Sequence, residues 1–166
     1  MEVMGIIPDD MTHAFWAGKK VFLTGHTGFK GAWLAEVLHT MGADVTGYAH
    51  APQTTPSLFV AQKIDQKIRH IVGDIRDIES LRREIRTAKP DIVFHLAAQS
   101  LVRPSYDDPL TTIETNVLGT ANVLDACRDV SSIRVVVVAT SDKVYENFEW
   151  PWGYRETDQL GGSDPY

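Results

Sequence analysis

The sequence has few cysteines, no basic cluster and no long apolar run, and each shortage excludes a class of protein. Its single cysteine, Cys127, cannot form an internal disulfide, which suits a reducing compartment. The net charge is -6, whereas a nucleic-acid-binding surface would be basic. No apolar run reaches the length of a transmembrane helix, and the first residues lack a signal-peptide pattern. We therefore predict a cytoplasmic protein with neither a nucleic acid nor a membrane as partner.

A glycine-spaced turn that follows an apolar strand is the most informative local motif. Residues 20–24 are β-rich, and Gly25, Gly28 and Gly31 come directly after them. In a dinucleotide-binding turn the first glycine permits the tight turn, the second lets the backbone approach a pyrophosphate, and the third lets the helix pack closely on the strand. The pyrophosphate would lie at the helix N-terminus, where free N–H groups favour negative charge. The alternative is that these glycines only close a turn between a strand and a helix.

Strands and helices alternate along the rest of the chain. Strands are predicted at 20–24, 44–49, 67–72, 91–96 and 134–139, and helices at 29–40, 77–88 and 108–128, with a short helical piece near Phe59. The segment 134–139 is apolar and β-branched, which is typical of a strand buried on both faces. The alternation predicts an α/β fold, a Rossmann-type doubly wound parallel sheet in the order 3-2-1-4-5. Residues 1–18 are predicted to be an arm whose aromatic end packs on the domain of residues 19–166.

Several candidate residues follow the carboxyl ends of the predicted strands, where open α/β sheets bind ligands. Asp74 is either an adenine ligand or a turn residue. His50 occupies the place where an acidic residue would indicate NAD, and no nearby arginine indicates NADP, so the residues alone leave that choice open. His95 is interpreted as a core histidine rather than a catalytic one. Cys127 is interpreted as a buried residue rather than a nucleophile.

The fifth predicted strand leads directly into Ser141, Asp142 and Lys143. A hydroxyl, a carboxylate and an ammonium at that edge of the sheet can polarise a carbonyl, protonate a leaving hydroxyl and assist proton abstraction. A solvated turn uses the same residue types, so these three residues alone do not decide between catalysis and a simple turn.

In combination, the motifs resemble the nucleotide-sugar 4,6-dehydratases of the extended short-chain dehydrogenase/reductase superfamily. The motifs that carry this resemblance are the glycine turn, Gly73-Asp74-Ile75, His95-Leu96-Ala97-Ala98-Gln99, Asn116-Val117-Leu118-Gly119-Thr120 and Thr140-Ser141-Asp142-Lys143. The glycine turn with its flanks (22–31), Tyr145-Glu146-Asn147 and the stretch 152–156 are most similar to the subfamily that acts on CDP-glucose. The resemblance extends from about Phe15 to the last residue.

The resemblance implies a lyase that uses NAD to dehydrate CDP-glucose to CDP-4-keto-6-deoxyglucose without net redox change. The sugar would be oxidised at C4, lose water across C5 and C6, and be reduced at C6. The deoxysugar would serve polysaccharide biosynthesis. The resemblance assigns the NAD contacts to Gly25, Thr27, Gly28, Phe29, Lys30, Asp74, Ile75, Leu96, Ala97 and Ala98.

The resemblance also implies four catalytic residues. Ser141 would hydrogen-bond the sugar O4, Asp142 would protonate the departing C6 hydroxyl, and Tyr166 would be the tyrosinate that takes the O4 proton. Lys143 stands where the related dTDP-glucose and GDP-mannose enzymes have a glutamate that takes the C5 proton. It would act either as a desolvated base or as a charge that stabilises the enolate.

Tyr166 is also the last residue of the sequence. In the superfamily a lysine four positions later, a further strand and a substrate domain follow such a tyrosine. We therefore expect these 166 residues alone to be inactive, with most of the NAD surface present, and a full-length parent that is a homodimer. Two alternatives stay open, a sugar-nucleotide 4-epimerase and a non-enzymatic NAD-binding fragment. Asp142 argues against the epimerase, because epimerisation at C4 needs no acid for a C6 hydroxyl.

Overall fold

The structure is a computed structural model that describes residues 9–166. Its strands are β1 (Lys20–Thr24), β2 (Asp44–Ala49), β3 (Arg69–Val72), β4 (Ile92–His95) and β5 (Val135–Val138). Its helices are α1 (Asp9–Trp16), α2 (Phe29–Thr40), α3 (Leu58–Ala61), α4 (Ile78–Ala88), α5 (Val102–Asp107), α6 (Pro109–Ile113) and α7 (Gly119–Arg128). A π-helical turn, Glu114–Leu118, joins α6 to α7, and 3₁₀ turns cover Ile64–Gln66 and Asp142–Val144. None of the helices within residues 9–166 is long and apolar enough to cross a membrane.

The strands pair in parallel in the order β3-β2-β1-β4-β5. This order confirms the predicted doubly wound sheet. The strand ladder continues past the carboxyl ends, because Gly25 N–H donates to Tyr48 O at 3.0 Å and Gly73 N–H donates to Ala49 O at 2.9 Å. The segments that follow β1, β2, β3 and β4 therefore meet along one edge of the sheet, which is where the predicted cofactor residues lie.

Two apolar clusters cover the two faces of the sheet. One cluster joins Phe22 and Val93 of the sheet to Leu81 and Ile85 of α4, together with the inner face of α7. Each such buried side chain contributes about 1.5–3 kcal/mol to folding. This packing buries one apolar face of α4, and the Asp77 side chain caps the helix by accepting a hydrogen bond from Ser80 N–H at 3.1 Å.

The second cluster lies beneath α2, which packs on the sheet through small residues. Ala32 and Ala35 are fully buried there with Leu38. The large apolar residues Trp33 and Val37 of the same helix are 47% and 42% exposed. Small side chains on the inner face allow the helix axis to approach β1 closely, as a dinucleotide-binding turn requires.

One sequence prediction about the second half of the chain holds and one was wrong. The helix predicted over 108–128 is present as α6, a π-helical turn and α7 in direct succession, and Asp108 caps α6 by accepting a hydrogen bond from Thr111 N–H at 3.0 Å. Strand β5 is not buried on both faces, because Val135 and Val137 are 47% and 42% exposed. The pairings of β5 within the described part of the chain involve β4 alone, so β5 is an edge strand there, and the face that carries Val135 and Val137 contacts solvent.

The predicted N-terminal arm contains helix α1, which the sequence did not indicate. Residues 1–8 of the arm lie outside the described residues. Trp16 packs against the cluster beneath α2, with its ring 6.3 Å from that of Phe94, whereas Phe15 is 54% exposed. The aromatic end of the arm therefore contacts the sheet through one of its two rings. The division into residues 1–18 and 19–166 stays a prediction.

Candidate functional site

The glycine turn between β1 and α2 has three glycines with different constraints. Gly25 has φ of +77°, a conformation that favours glycine, and an added Cβ would lie 2.7 Å from Ala97 N. A Cβ on Gly31 would lie 2.1 Å from Gly25 O, so no side chain fits between the turn and the helix. A Cβ on Gly28 would meet only Gly25 O, at 3.4 Å. The space in front of Gly28 is therefore open to a ligand.

The N-terminus of α2 offers a site for an anion. Its N-cap is Gly28, no side chain in the described chain caps the helix, and its first turn carries no acidic residue. Phe29 and Lys30 are exposed beside it. The Thr27 hydroxyl donates to His50 O at 2.9 Å and so joins the turn to the end of β2. Free N–H groups with a nearby ammonium suit the pyrophosphate of a dinucleotide.

His26 supports the turn from below, and the sequence reasoning missed it. Its imidazole is fully buried, with Nε2 2.6 Å from Nδ1 of His70 and its ring edge against Phe59. A Cβ on Gly47 would lie 2.5 Å from the His26 ring. Burial, and then the proximity of His70, lower the pKa of His26 to about 3. A histidine between glycines resembles an exposed loop residue, so only the sheet geometry could show that it is buried.

Asp74 lies at the end of β3 in a cluster of charged side chains. Its carboxylate accepts hydrogen bonds from Arg76 Nη2 at 2.7 Å and Nε at 2.9 Å, and lies 3.2 Å from His50 Nε2. Burial alone would raise the pKa of Asp74, but the hydrogen bonds from Arg76 and His50 lower it to about 2. Arg76 thus stands close to the end of β2, where the sequence indicated no arginine.

The side chain of Ile75, the residue after Asp74, is buried. Its side chain is 4% exposed, and an added Cβ on Gly119 would lie 2.5 Å from its Cδ1. The Ile75 carbonyl accepts a hydrogen bond from Asn122 Nδ2 at 3.0 Å. The side chain therefore packs between the sheet and α7, which leaves its backbone N–H as the group that could face an adenine ring.

The end of β4 is fixed by a chain of buried hydrogen bonds. Thr24 Oγ1 accepts from Leu96 N–H and Ala97 N–H, each at 3.2 Å. The same hydroxyl lies 2.7 Å from His95 Nδ1, and His95 Nε2 lies 3.0 Å from Thr120 Oγ1. Because the Thr24 hydroxyl already accepts two hydrogen bonds, it donates its own proton in a hydrogen bond to His95 Nδ1. His95 therefore carries its proton on Nε2.

This network confirms the interpretation of His95 as a core residue. It is 2% exposed, and burial lowers its pKa to about 4. Through Thr24 it fixes the backbone of Leu96 and Ala97, which lies next to Gly25, while Ala98 beside them is exposed. The small side chains of Ala97 and Ala98 leave room here for a flat cofactor.

The three polar residues after β5 form a 3₁₀ turn. Ser141 Oγ accepts a hydrogen bond from Lys143 N–H at 3.1 Å and lies 3.3 Å from Asp142 Oδ1. Lys143 Nζ lies 3.0 Å from Asp164 Oδ2. The hydrogen bond and charge of Asp164 raise the pKa of Lys143 above its usual value. The Lys143 side chain therefore carries a positive charge opposite the Asp164 carboxylate.

An open cavity of about 770 Å³ lies beside this turn. Its lining includes Asp142 and Lys143, along with Asp164, Tyr145 and Tyr154. Of the four predicted catalytic residues, Asp142 and Lys143 line the cavity. Ser141 is connected to it only through its contact with Asp142. Tyr166 does not line the cavity. The rings of Tyr145 and Tyr154 stack at 5.2 Å and form one wall.

Comparison with curated proteins identifies relatives with nucleotide-sugar activities. A family model described as GDP-mannose 4,6 dehydratase matches residues 22–166. The chain is 54% identical over 152 residues to CDP-glucose 4,6-dehydratase of Salmonella typhimurium, which covers 92% of this chain and 42% of that relative. It is 30% identical over 164 residues to CDP-paratose 2-epimerase of Salmonella typhi, covering 89% of this chain and 48% of that relative. The chain therefore spans less than half the length of these relatives.

Solved structures with the same sheet carry NAD. UDP-glucose 4-epimerase of Thermus thermophilus in complex with NAD matches with a TM-score of 0.75 and 29% identity, over 88% of this chain and 45% of that chain. A double mutant of dTDP-glucose 4,6-dehydratase of Streptomyces venezuelae with NAD bound matches with a TM-score of 0.75 and 28% identity, over 88% of this chain and 46% of that chain. These matches confirm the predicted Rossmann-type fold.

Proposed function

Because this chain belongs to the GDP-mannose 4,6 dehydratase family, we propose that the whole protein converts CDP-glucose to CDP-4-keto-6-deoxyglucose with NAD as cofactor. The observation that carries the choice of substrate is the 54% identity to CDP-glucose 4,6-dehydratase. The chain covers 42% of that relative. The activity is therefore proposed for the whole protein, and we expect these 166 residues alone to be insufficient for it.

The residues around the glycine turn fit NAD. The open space at Gly28, the N-terminus of α2 with no side-chain cap in the described chain, and the exposed Lys30 suit its pyrophosphate. The small side chains of the partly buried Ala97 and the exposed Ala98 leave room for the rest of the cofactor. NAD, when bound, would accept a hydride from sugar C4 and return it to C6, so no redox equivalent is consumed.

Asp142 and Ser141 supply the polar groups of the proposed reaction, with Tyr166 as the group that takes the O4 proton. Ser141 would donate its hydroxyl proton toward O4 as the carbonyl forms. The resulting C4 ketone acidifies the C5 proton. The Asp142 carboxylate would then take the C5 proton and give a proton to the C6 hydroxyl, which leaves as water. Asp142 is exposed at the cavity, which supports this role because a carboxyl group there can reach a sugar.

Lys143 is proposed as the charge that stabilises the enolate formed when the C5 proton is lost. Its ion pair with Asp164 at 3.0 Å supports this choice, because an ammonium that keeps its proton can offset negative charge but cannot accept a proton. A glutamate at this position in related enzymes would instead act as a base.

The whole protein is further proposed to be a cytoplasmic homodimer. The helical stretch from α6 to α7 supports an interface, because it presents exposed apolar side chains at Leu110, Ile113, Val117 and Leu124. Sedimentation of the whole protein would test the dimer, and Val117→Glu, a charged residue within that surface, should shift the equilibrium toward monomer. An unchanged dimer in that variant would contradict an interface on this stretch.

The substrate proposal is tested by incubating the whole protein with NAD and each of three sugar nucleotides. We expect the CDP-glucose product to have lost one water, as detected by mass spectrometry, and dTDP-glucose and GDP-mannose to react at least about tenfold more slowly, which corresponds to about 1.4 kcal/mol of discrimination. Conversion to a C4 epimer of unchanged mass would instead support the epimerase. Absence of any reaction, with NAD binding intact, would support a non-enzymatic NAD-binding protein.

A further inference from the structure

A buried carboxylate lies directly opposite the ammonium of Lys143. The Asp164 side chain is 7% exposed, the Lys143 side chain is 47% exposed, and Nζ and Oδ2 are 3.0 Å apart. Burying an ionised carboxylate is costly unless it is paired and hydrogen-bonded. The burial is thus asymmetric. A fixed anion holds the end of an otherwise mobile lysine side chain.

The segment that carries Asp164 is also held by contacts that do not involve its carboxylate. Gly161 N–H donates to Val144 O at 3.0 Å, and the Tyr106 hydroxyl donates to Ser163 O at 3.1 Å. Both contacts use backbone atoms of the segment. The segment that leads to Tyr166 therefore keeps these two backbone contacts when the charge on residue 164 is removed.

We propose that Asp164 is a positioning residue for dehydration, which holds the Lys143 ammonium in the cavity beside Asp142. This inference rests on the proposed function. A lysine side chain has four rotatable bonds and a strongly hydrated charge, so it stabilises a developing enolate effectively only if its position is fixed before the reaction. Asp164 supplies that constraint, and it acts on the elimination step rather than on the oxidation at C4.

Asp164→Asn in the whole protein is the direct test, because it keeps the shape and removes the charge. A misplaced group can cost about 10²-fold in rate, and we expect a loss of this order in water elimination. Oxidation at C4 depends on Tyr166 and Ser141, so it should fall far less. Bound NADH should therefore accumulate during turnover, which its absorbance reports, and which the wild type should not show.

A double-mutant cycle with Lys143→Met separates positioning from a structural effect. If Asp164 acts through Lys143, then adding Asp164→Asn to Lys143→Met should cause little further loss. Asp158→Asn is the matched control, because Asp158 lies in the same region and accepts from Arg155 N–H at 2.7 Å without contacting Lys143. It should leave turnover unchanged. Additive losses in the cycle, or an equal fall of both steps in Asp164→Asn, would overturn the proposal.

A second readout does not depend on turnover. The pKa of Lys143, measured from the pH dependence of its acylation by an amine-reactive reagent, should fall in Asp164→Asn and stay unchanged in Asp158→Asn. An unchanged pKa in Asp164→Asn overturns the ion pair even if the enzyme is active. A lowered pKa in a protein that dehydrates no sugar nucleotide supports the ion pair but overturns the proposed function, and with it the part of Asp164 in dehydration.

Discussion

Replacing Gly31 by alanine should destabilise the fold at the point where the cofactor turn meets α2. The added Cβ would lie 2.1 Å from Gly25 O, 2.7 Å from Gly25 C and 2.8 Å from His26 Cα. All three atoms are backbone, so the turn itself must shift to relieve the contact. Overpacking of this kind costs typically 1–3 kcal/mol, and contacts this short place Gly31→Ala near the upper end. Thermal or urea unfolding of the whole protein measures the loss.

Two other glycines provide matched controls for this prediction. A Cβ on Gly28 is 3.4 Å from its nearest neighbour, and one on Gly153 has nothing within 4 Å. We expect Gly28→Ala to keep its stability but bind NAD about tenfold more weakly in calorimetry, because the methyl group occupies the approach of the pyrophosphate. Gly153→Ala should change neither property. The reasoning would be refuted if Gly31→Ala unfolded with the wild-type free energy, or if Gly28→Ala bound NAD as the wild type does.

Three further perturbations test the site and the core. Asp142→Asn in the whole protein should abolish water loss and spare C4 oxidation. A variant that keeps the rates of both steps to the same extent would show that the proposed role of Asp142 is wrong. Burial lowers the pKa of His95 from 6.5 to about 4, so its neutral form stabilises the fold above pH 6.5. This stability is lost as the pH falls toward 4, by up to roughly 1.4 kcal/mol per pH unit. His95→Gln should flatten that slope in urea unfolding. Burial raises the pKa of the Cys127 thiol to about 11, so iodoacetamide should label it only in denaturant, and rapid labelling of the native protein would contradict its burial.

The strand order could be predicted because each element carried its own signal. Short β-branched runs and helical stretches alternated, and a right-handed connection between parallel strands allows few sheet orders. The predicted ends of the strands were less accurate than their order. Strand β3 begins at Arg69 rather than at residue 67, because the stretch before it forms a 3₁₀ turn. Local sequence does not show where such a turn gives way to strand pairing.

The burial of β5 was mispredicted for a reason that lies in its neighbours. Four consecutive valines resemble a strand covered on both faces, but coverage depends on which elements pack there. In the described part of the chain, Val135 and Val137 keep one face exposed. The π-helical turn at Glu114–Leu118 was missed for a different reason. A π-helical turn shifts hydrogen bonds along the backbone without a distinctive residue pattern.

The candidate site was predictable where a motif requires a particular residue type. Gly25 and Gly31 behave as the glycine spacing indicates, because any side chain there would meet backbone atoms. The support of the turn by His26 and His70, and the ion pair of Asp164 with Lys143, could not be predicted. Both pairs join residues far apart in the sequence, and only the folded sheet and the segment after it bring them together.

The proposed dehydration is most directly tested by following a deuterium label from C4 of CDP-glucose through the reaction of the whole protein with NAD. We expect a product that has lost water and carries the deuterium at C6, because the hydride removed from C4 is returned there. Deuterium that returns to C4 without loss of water would contradict the dehydratase mechanism and support a C4 epimerase.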